Sequence, residues 1–209
     1  MIALPRLYAI IDSSARASTS DLVAYAQELA AGGCTLLQYR NKSGNARAML
    51  DQARELRRQT RAGAPAPHVR LIMNDRADLC LAAEFDGVHV GQEDLSPEAV
   101  RAIIGPERWL GVSTHNPEQL READLTSADY LAIGPVFATS SKDRPDPVVG
   151  LEGVRRARTL TRKALVAIGG ITRANAASVI EAGADSVAVI SDLLREPRKS
   201  AEEFFRILR

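Results

Sequence analysis

Short apolar runs alternate along the chain with longer amphipathic stretches. Several of these runs are apolar at nearly every position, which is typical of parallel strands covered on both faces. The runs predict eight strands: Leu7–Ile11, Thr35–Tyr39, Val69–Met73, Gly87–Val90, Trp109–Val112, Tyr130–Ile133, Leu165–Ile168 and Ser186–Ile190. The stretches between them carry apolar stripes at helical spacing. They predict eight helices: Asp21–Ala31, Met49–Gln59, Ala77–Ala83, Pro97–Ile104, Pro117–Ala123, Leu151–Leu160, Arg173–Ala182 and Ala201–Leu208.

This alternation predicts the fold class. Strands that alternate with helices indicate a parallel sheet. Eight repeats in 209 residues give about 26 residues each, close to the ~30 of a βα unit. Three helices are followed by glycines (Gly32-Gly33, Gly105 and Gly183), which enter the left-handed conformation at no steric cost. We therefore predict one domain, a (β/α)8 TIM barrel over residues 1–209. A doubly wound open sheet is the competing α/β arrangement.

The composition restricts the kinds of partner. Lys and Arg total 27 and Asp and Glu total 26, which gives a net charge of +1. Positive and negative charges that are this closely balanced provide no overall electrostatic field to attract nucleic acid or an anionic membrane. We therefore expect neither as a partner. Cys34 and Cys80 are the only cysteines, which argues against a disulfide framework and a thiolate metal site. The short N-terminal apolar run, broken by Pro5 and Arg6, predicts no signal peptide, and we expect a cytoplasmic monomer or homodimer.

Unusual polar residues follow the predicted strands. In a (β/α)8 barrel the loops after the strands build the active site, whereas the opposite loops mainly serve stability. The polar residues that follow strands are Gln38, Arg40, Lys42, Asn74, Asp75, His89, Asp94, Ser113, His115, Thr139, Ser140, Ser141, Lys142 and Ser191. The opposite loops are plainer, and this contrast predicts a site at the C-terminal end of the barrel.

A phosphate site is predicted after the last two strands. Gly169-Gly170-Ile171-Thr172 ends the seventh strand and precedes a predicted helix, and Ser191 follows the eighth. Glycine lets backbone N–H groups approach an anion, and a helix N-terminus adds partial positive charge. The alternative is that the two glycines merely form a tight turn.

Two further clusters suit a diphosphate and a metal ion. Asp75 and Asp94 leave adjacent strands, and paired hard oxygen ligands facing a polyphosphate suit Mg2+; each could instead cap a helix. Gln38, Arg40 and Lys42 stand at alternate positions, so a continuous strand would point all three into the barrel. Buried cations are costly without an anionic partner, which favours a phosphorylated ligand. Alternatively the strand ends earlier and these are solvated loop charges.

Residues Gly134 to Gly150 form a long segment without periodicity. Loops of this length are usually functional or disordered, and its hydroxyl groups and Lys142 suggest a lid over phosphate, with a mobile surface loop as the alternative. The sequence has no readable Ser/His/Asp or Cys/His set and no HExxH motif. His68 is expected to be an ordinary surface residue, and the roles of His89 and His115 stay open.

Together these motifs resemble the thiamine-phosphate synthase family. The resemblance covers residues 7 to 191 and is most specific at two segments, Gln38-Tyr39-Arg40-Asn41-Lys42 and Asp86-Gly87-Val88-His89-Val90-Gly91-Gln92-Glu93-Asp94. It implies a (β/α)8 barrel that joins hydroxymethylpyrimidine diphosphate to hydroxyethylthiazole phosphate, releasing diphosphate and forming thiamine phosphate.

The resemblance also implies residue roles. Asp75 and Asp94 would bind Mg2+, and Arg40, Lys42, Ser113 and Lys142 would be catalytic. The pyrimidine diphosphate would be held by Gln38, Arg40, Lys42, Asn74, Ser113 and Lys142. The thiazole phosphate would be held by Thr139, Ser141, Gly170, Ile190 and Ser191. A leaving diphosphate and a nucleophilic thiazole nitrogen would require no protein nucleophile, in keeping with the missing triad.

Small departures from the family pattern stand beside these residues. Tyr39 replaces an aliphatic residue and is expected to point outward into the helix layer, and Asn41 stands where an acidic residue is common. Arg144 and Pro145 diversify the predicted lid. None of these departures removes a residue with an implied role.

Three alternative functions share part of this pattern. A related thiazole tautomerase handles only the thiazole phosphate and does not need the diphosphate residues. A sugar-phosphate isomerase or epimerase would share the phosphate site but needs an acid/base pair facing the sugar. A non-catalytic phosphate-sensing barrel has no reason to keep an acidic pair beside a lid lysine.

Overall fold

The computed structural model of the chain is a closed barrel of parallel strands surrounded by helices. The structure describes residues 2–62, 68–139 and 146–209. In these ranges the strands are β1 (Leu7–Asp12), β2 (Leu36–Arg40), β3 (Arg70–Asn74), β4 (Gly87–Val90), β5 (Trp109–Thr114), β6 (Tyr130–Ile133), β7 (Ala164–Ile168) and β8 (Ser186–Val189). Each strand pairs in parallel with the next, and β1 pairs with β8. The (β/α)8 prediction is confirmed, and the open sheet is excluded.

A helix follows every strand. The helices are α1 (Thr19–Ala31), α2 (Ala46–Ala62), α3 (Ala77–Ala82), α4 (Pro97–Ile104), α5 (Pro117–Asp124), α6 (Gly150–Leu160), α7 (Ala176–Glu181) and α8 (Pro197–Ile207). Short 3-10 turns follow β1 (Ser13–Ala15) and β8 (Ser191–Leu193). None of the helices in the described ranges has the length and apolar character needed to cross a membrane.

Side-chain capping explains where several helices begin. Helix α1 starts two residues earlier than predicted because the Ser18 hydroxyl accepts a hydrogen bond from the Asp21 N–H. Helix α7 starts at Ala176, and the prediction of a start at Arg173 is wrong. The N–H groups of Thr172 and Arg173 donate to the side chains of Asn175 and Asp192, which holds this segment outside the helix.

Two apolar layers stabilise the barrel. The inner layer fills the barrel with side chains that alternate along the strands, among them Ile10, Leu36, Ile72 and Val166. The outer layer lies between the strands and the helices and contains most of the buried residues. Because alternate residues of a strand face opposite ways, inward-facing polar residues continue the inner layer toward the C-terminal end.

A repeated contact closes the N-terminal end of the barrel. An aspartate before each of three even-numbered strands donates its N–H to a leucine carbonyl on the preceding strand, at 2.8–2.9 Å. Its carboxylate accepts that leucine's N–H, at 2.7–2.8 Å, and pairs with an arginine of the outer helices. The three sets are Asp86, Leu71 and Arg61; Asp129, Leu110 and Arg101; and Asp185, Leu165 and Arg158.

Candidate active site

The predicted site residues gather at the C-terminal end of the barrel. Gln38, Arg40, Asn74 and Ser113 lie at or near the ends of β2, β3 and β5, in the inward-facing register. Gln38 and Asn74 are buried, and Arg40 and Ser113 are half-buried. Sequence periodicity and structure therefore agree on the position of these four residues.

Asp75 and Asp94 form an acidic pair on adjacent loops. Neither acts as a helix cap: the N-cap position of α3 is Arg76, and Ser96 caps α4. Asp75 adopts a φ of 63°, which is uncommon for a residue with a Cβ, although Asp adopts it more readily than most residues. Partial desolvation raises the pKa of Asp94, and contact with the Asp75 carboxylate raises it further. A cation between the two carboxylates would relieve this repulsion.

Lys42 reaches the acidic pair from outside the barrel. Strand β2 ends at Arg40, so the prediction that Lys42 points inward along a continuous strand is wrong. Its side chain is 58% exposed, and its Nζ lies 2.6 Å from Asp75 Oδ2. A long flexible side chain thus brings the ammonium group to the site although the backbone has left the strand.

Asp12 is a site residue that the sequence analysis missed. It ends β1 beside Arg40 of β2, and the two side chains form an ion pair. Burial opposes ionisation of Asp12, but hydrogen bonds from Ser14 and the charge of Arg40 outweigh it and lower its pKa. The available signal was the carboxylate at the end of LYAIID, next to a strand that carries an arginine.

A chain of buried polar side chains crosses the barrel below these charges. Gln38 donates to Tyr8, which contacts Tyr130, and His89 lies between Tyr130 and Ser113. Tyr8 and Tyr130 were not singled out from the sequence, because they read as core aromatics. The structure thereby gives His89 a place within the site.

Asn74 holds an unused donor. Its Nδ2 is buried and has no hydrogen-bond partner within the described part of the chain. A buried donor without a partner costs about 1–3 kcal/mol. Asn74 lies on the inward face of β3, directly before Asp75 in the sequence. A hydrogen-bond acceptor on a ligand at the C-terminal end of the barrel would therefore satisfy the Asn74 donor.

The two glycines after β7 serve close packing as well as ligand access. Gly169 and Gly170 have φ values of 100° and 64°. A Cβ on either would overlap the segment from Pro135 to Ala138. The two glycines therefore do form a tight, closely packed turn, as the alternative explanation predicted. In the described chain, however, the N–H groups of Gly170 and Ile171 donate to no other residue, which leaves two donors for an anion.

The other half of the predicted phosphate site differs from expectation. Helix α7 begins six residues after Gly170, so the predicted helix N-terminus does not directly follow the glycines. Ser191 is exposed in the 3-10 turn after β8, and half-buried Ile190 precedes it.

The loop after β6 is described at both ends. Thr139 is half-buried and lies on the described side of this loop, whereas the predicted lid residues Ser140, Ser141, Lys142, Arg144 and Pro145 fall outside the described residues. His115 lies at the base of the loop: its Nδ1 is 2.7 Å from the Gly134 carbonyl oxygen, and its Nε2 is 3.5 Å from Asp146 Oδ2. His115 thus ties the two ends together.

The family departures on β2 support the backbone behind Arg40. Tyr39 is fully buried in the outer layer, as predicted, and donates to Gln52 Oε1 of α2 at 2.6 Å. The Asn41 Nδ2 donates to both Tyr39 and Gln52, at 3.0 Å each. Asn41 therefore fixes the exit of β2 through neutral hydrogen bonds.

The cysteines take no part in this site. Both are buried and free, and burial raises the pKa of each thiol to about 12. Such buried thiols are unreactive. Nor does any group of three or more His, Cys, Asp or Glu side chains suit a metal ion in the described ranges. The acidic pair would need further ligands from substrate and water.

The fold and the site at the C-terminal end of the barrel, called the mouth below, define the class of protein. It is a (β/α)8-barrel enzyme with basic, acidic and backbone groups suited to phosphorylated substrates. A family model described as thiamine monophosphate synthase matches residues 7–193. The chain belongs to the thiamine monophosphate synthase family.

Individual relatives agree with this assignment. The chain is 62% identical over 208 residues to the thiamine-phosphate synthase of Koribacter versatilis, covering 98% of this chain and 96% of the relative. It is 44% identical to that of Chloroflexus aurantiacus, covering 89% and 83%. A solved structure of thiamine phosphate pyrophosphorylase from Pyrococcus furiosus superposes with a TM-score of 0.84 at 35% identity, covering 97% of this chain and 95% of that one. These relatives confirm the synthase interpretation and give the alternative functions no support.

Proposed function

We propose that this single barrel joins 4-amino-2-methyl-5-hydroxymethylpyrimidine diphosphate to 4-methyl-5-(2-hydroxyethyl)thiazole phosphate, giving thiamine phosphate and diphosphate. The observation that carries the proposal is the acidic pair Asp75 and Asp94 beside Lys42 at the barrel mouth. Adjacent carboxylates next to a cation suit a metal-bound diphosphate better than a neutral ligand. Family membership supplies the identity of the substrates.

Asp75 and Asp94 would hold Mg2+, and the raised pKa of Asp94, caused by partial burial and by the neighbouring Asp75 carboxylate, supports this assignment. The bound ion supplies positive charge that offsets the charge of the leaving diphosphate. Arg40, Lys42 and Lys142 bind the diphosphate oxygens and stabilise the charge that grows as the C–O bond breaks. Arg40 and Lys42 are paired with Asp12 and Asp75, so both side chains are directed at this edge.

The pyrimidine ring lies deeper in the mouth in this proposal. Gln38 and Ser113 contact it from β2 and β5, and the unpartnered Asn74 Nδ2 donates to the same substrate. Inward-facing side chains on rigid strands hold the reacting carbon in place and exclude water.

The thiazole phosphate would bind on the opposite side of the mouth. The free N–H groups at Gly170 and Ile171, with Ile190 and the Ser191 hydroxyl, form its phosphate site, and Thr139 and Ser141 contact the substrate from the loop after β6. The thiazole nitrogen donates its electron pair to the pyrimidine methylene carbon while diphosphate departs with the electrons of the C–O bond. No protein nucleophile is required.

The test is diphosphate release in the presence of both substrates, with and without Mg2+, while thiamine phosphate is followed in parallel. We expect equal amounts of both products, formed only with the metal. Isomerisation of the thiazole phosphate without diphosphate would replace the proposal with the tautomerase alternative. Binding of both substrates without turnover would replace it with the sensor alternative.

A further inference from the structure

Five side chains form a continuous hydrogen-bond chain through the barrel interior. Gln38 Nε2 lies 2.8 Å from the Tyr8 hydroxyl, which lies 3.0 Å from the Tyr130 hydroxyl. The Tyr130 hydroxyl is 3.2 Å from His89 Nδ1, and His89 Nε2 is 2.8 Å from Ser113 Oγ. The ends of the chain are two residues that the proposed function places against the pyrimidine. Its three middle members have no role in that proposal.

Gly111 leaves the space in which the chain is completed. It pairs with both His89 and Tyr130 in the β-sheet register. A Cβ at position 111 would overlap the Tyr130 ring, its hydroxyl and His89 Nδ1. Any other residue there would therefore separate the tyrosine from the histidine, so the strand sequence itself accommodates this contact.

Every member of the chain is uncharged at neutral pH. His89 is buried inside the barrel, where the neutral imidazole is favoured over the imidazolium, and each of its ring nitrogens lies beside one hydroxyl. Burial also raises the pKa values of Tyr8 and Tyr130 above their ordinary range. Each hydroxyl therefore has one proton to donate, and the imidazole has one N–H, so the chain transmits a direction of donation without carrying charge.

That direction follows from the Gln38 amide. Its nitrogen faces Tyr8 and donates, so the Tyr8 proton has only the Tyr130 oxygen as acceptor. The Tyr130 proton then goes to His89 Nδ1, and the imidazole carries its proton on Nε2 and donates to Ser113 Oγ. Gln38 Oε1 is left as an acceptor at one end, and the Ser113 O–H is left as a donor at the other.

We propose that Tyr8, Tyr130 and His89 are positioning residues that hold the Gln38 amide in this orientation, maintain the acceptor and donor pattern, and thereby select a 4-aminopyrimidine diphosphate over its 4-oxo analogue. An amino group donates to Gln38 Oε1, whereas the oxo analogue presents a carbonyl oxygen to the same acceptor. A binding site strongly rejects an analogue that leaves one of the site's buried polar groups without a hydrogen-bond partner. The inference rests on the proposed function, since it takes Gln38 and Ser113 as pyrimidine contacts.

The first test reads the imidazole directly in the ligand-free protein. In 15N NMR spectra at pH 7, we expect His89 to be the Nε2–H tautomer. In Tyr130→Phe the Nδ1 partner is lost, and we expect the signals to move toward a mixture of the two tautomers. Tyr25→Phe removes a buried hydroxyl on α1, outside the chain, and is the control. An Nδ1–H tautomer in the unmodified protein, or an unchanged tautomer in Tyr130→Phe, overturns the proposal.

The second test measures the ratio of kcat/KM for the 4-amino substrate to kcat/KM for the 4-oxo analogue. In Tyr8→Phe and Tyr130→Phe we expect this ratio to fall at least ~10-fold, because Gln38 can then turn its amide nitrogen to the ligand. A merely structural role would lower both values together and leave the ratio unchanged, which would overturn the proposal. Should neither substrate react with the unmodified protein, the proposed function fails, and the tautomer alone decides whether the chain has the stated direction.

Discussion

The two ends of the barrel contain similar charged residues but arrange them in opposite ways. At the N-terminal end, the carboxylates of Asp86, Asp129 and Asp185 each accept a strand N–H and pair with an arginine. At the C-terminal end, Asp75 and Asp94 face each other, and partial burial together with this contact raises the pKa of Asp94. At the N-terminal end these three carboxylates have their partners within the chain, whereas at the C-terminal end the Asp75–Asp94 pair and the buried Asn74 Nδ2 are left for a ligand. The difference locates stability at one end and chemistry at the other.

The largest expected effect is loss of turnover at the C-terminal end. Asp94→Ala removes one carboxylate of the acidic pair, and Lys142→Ala removes a cation assigned to the diphosphate. Each should lower kcat at least ~100-fold, since one preorganised electrostatic stabiliser commonly contributes 10²–10³. Steady-state kinetics with saturating Mg2+ measure this.

Glu93→Ala is the matched control for Asp94→Ala, because Glu93 is the exposed neighbouring carboxylate and has no assigned role. Unfolding in urea without metal should show that Asp94→Ala is within about 1 kcal/mol of the unmodified protein, because the lost repulsion from Asp75 offsets the lost hydrogen bond from the Gly91 N–H. Near-normal turnover in both Asp94→Ala and Lys142→Ala would remove the site assignment.

At the N-terminal end we expect a substitution to lower stability and to leave activity nearly unchanged. Asp129→Ala leaves Arg101 without its carboxylate and the Leu110 N–H without its side-chain acceptor. We expect a loss of about 1–3 kcal/mol in the free energy of unfolding, with kcat/KM within about twofold of normal at 25 °C.

Asp51→Ala, at an exposed position of α2, should change the free energy of unfolding by less than about 0.5 kcal/mol. An Asp129→Ala protein of normal stability would show that the repeated contact does not hold the N-terminal end together.

The hydrogen-bond chain inside the barrel should give the stability a pH dependence of its own, separate from the effects at the two ends. Because burial lowers the folded pKa of His89 to about 4, the unfolded state takes up a proton below its own pKa of about 6.5 while the folded state does not. His89 therefore contributes stability that is present above about pH 6.5 and is lost as the pH falls toward 4. Between pH 7 and pH 5 this loss is about 2 kcal/mol.

Urea unfolding at the two pH values measures it. In His89→Gln the difference between pH 7 and pH 5 should shrink by about 2 kcal/mol. Exposed His68→Gln is the control for removing a histidine. An equal difference in the His89→Gln and unmodified proteins would contradict the assigned state of His89.

A smaller effect is expected from Asp12→Asn. If Asp12 orients Arg40, its loss should raise KM for the pyrimidine diphosphate by about 5- to 10-fold, equivalent to about 1–1.4 kcal/mol, with little change in kcat. Asp21→Asn, exposed on α1, is the control. A lower KM would instead show that Asp12 competes with the substrate for Arg40.

Much of the architecture could be predicted because it depends on local pattern. The strands follow from apolar runs and the outward direction of Tyr39 follows from strand alternation. The predicted element boundaries were wrong where contacts distant in sequence decide them. Asp192 holds the Arg173 N–H outside α7, and β2 ends before Lys42.

The missed site residues share one cause. Tyr8 and Tyr130 are 122 positions apart, and Asp12 and Arg40 are 28 apart, so their contacts depend on how the barrel closes. An aromatic or acidic residue inside a strand looks like core or cap until its neighbour across the barrel is known. The sequence resemblance named residues for ligand contact but not the side chains that orient them.

The most direct test of the division between the two ends is the double variant Asp94→Ala with Asp129→Ala, measured for both kcat/KM and free energy of unfolding. Effects at distant, independent sites add. We predict that the double variant has the activity of Asp94→Ala and the stability of Asp129→Ala. An activity or a stability of the double variant that departs well from the sum of the two single-variant effects would show that the two ends are coupled and would contradict the account.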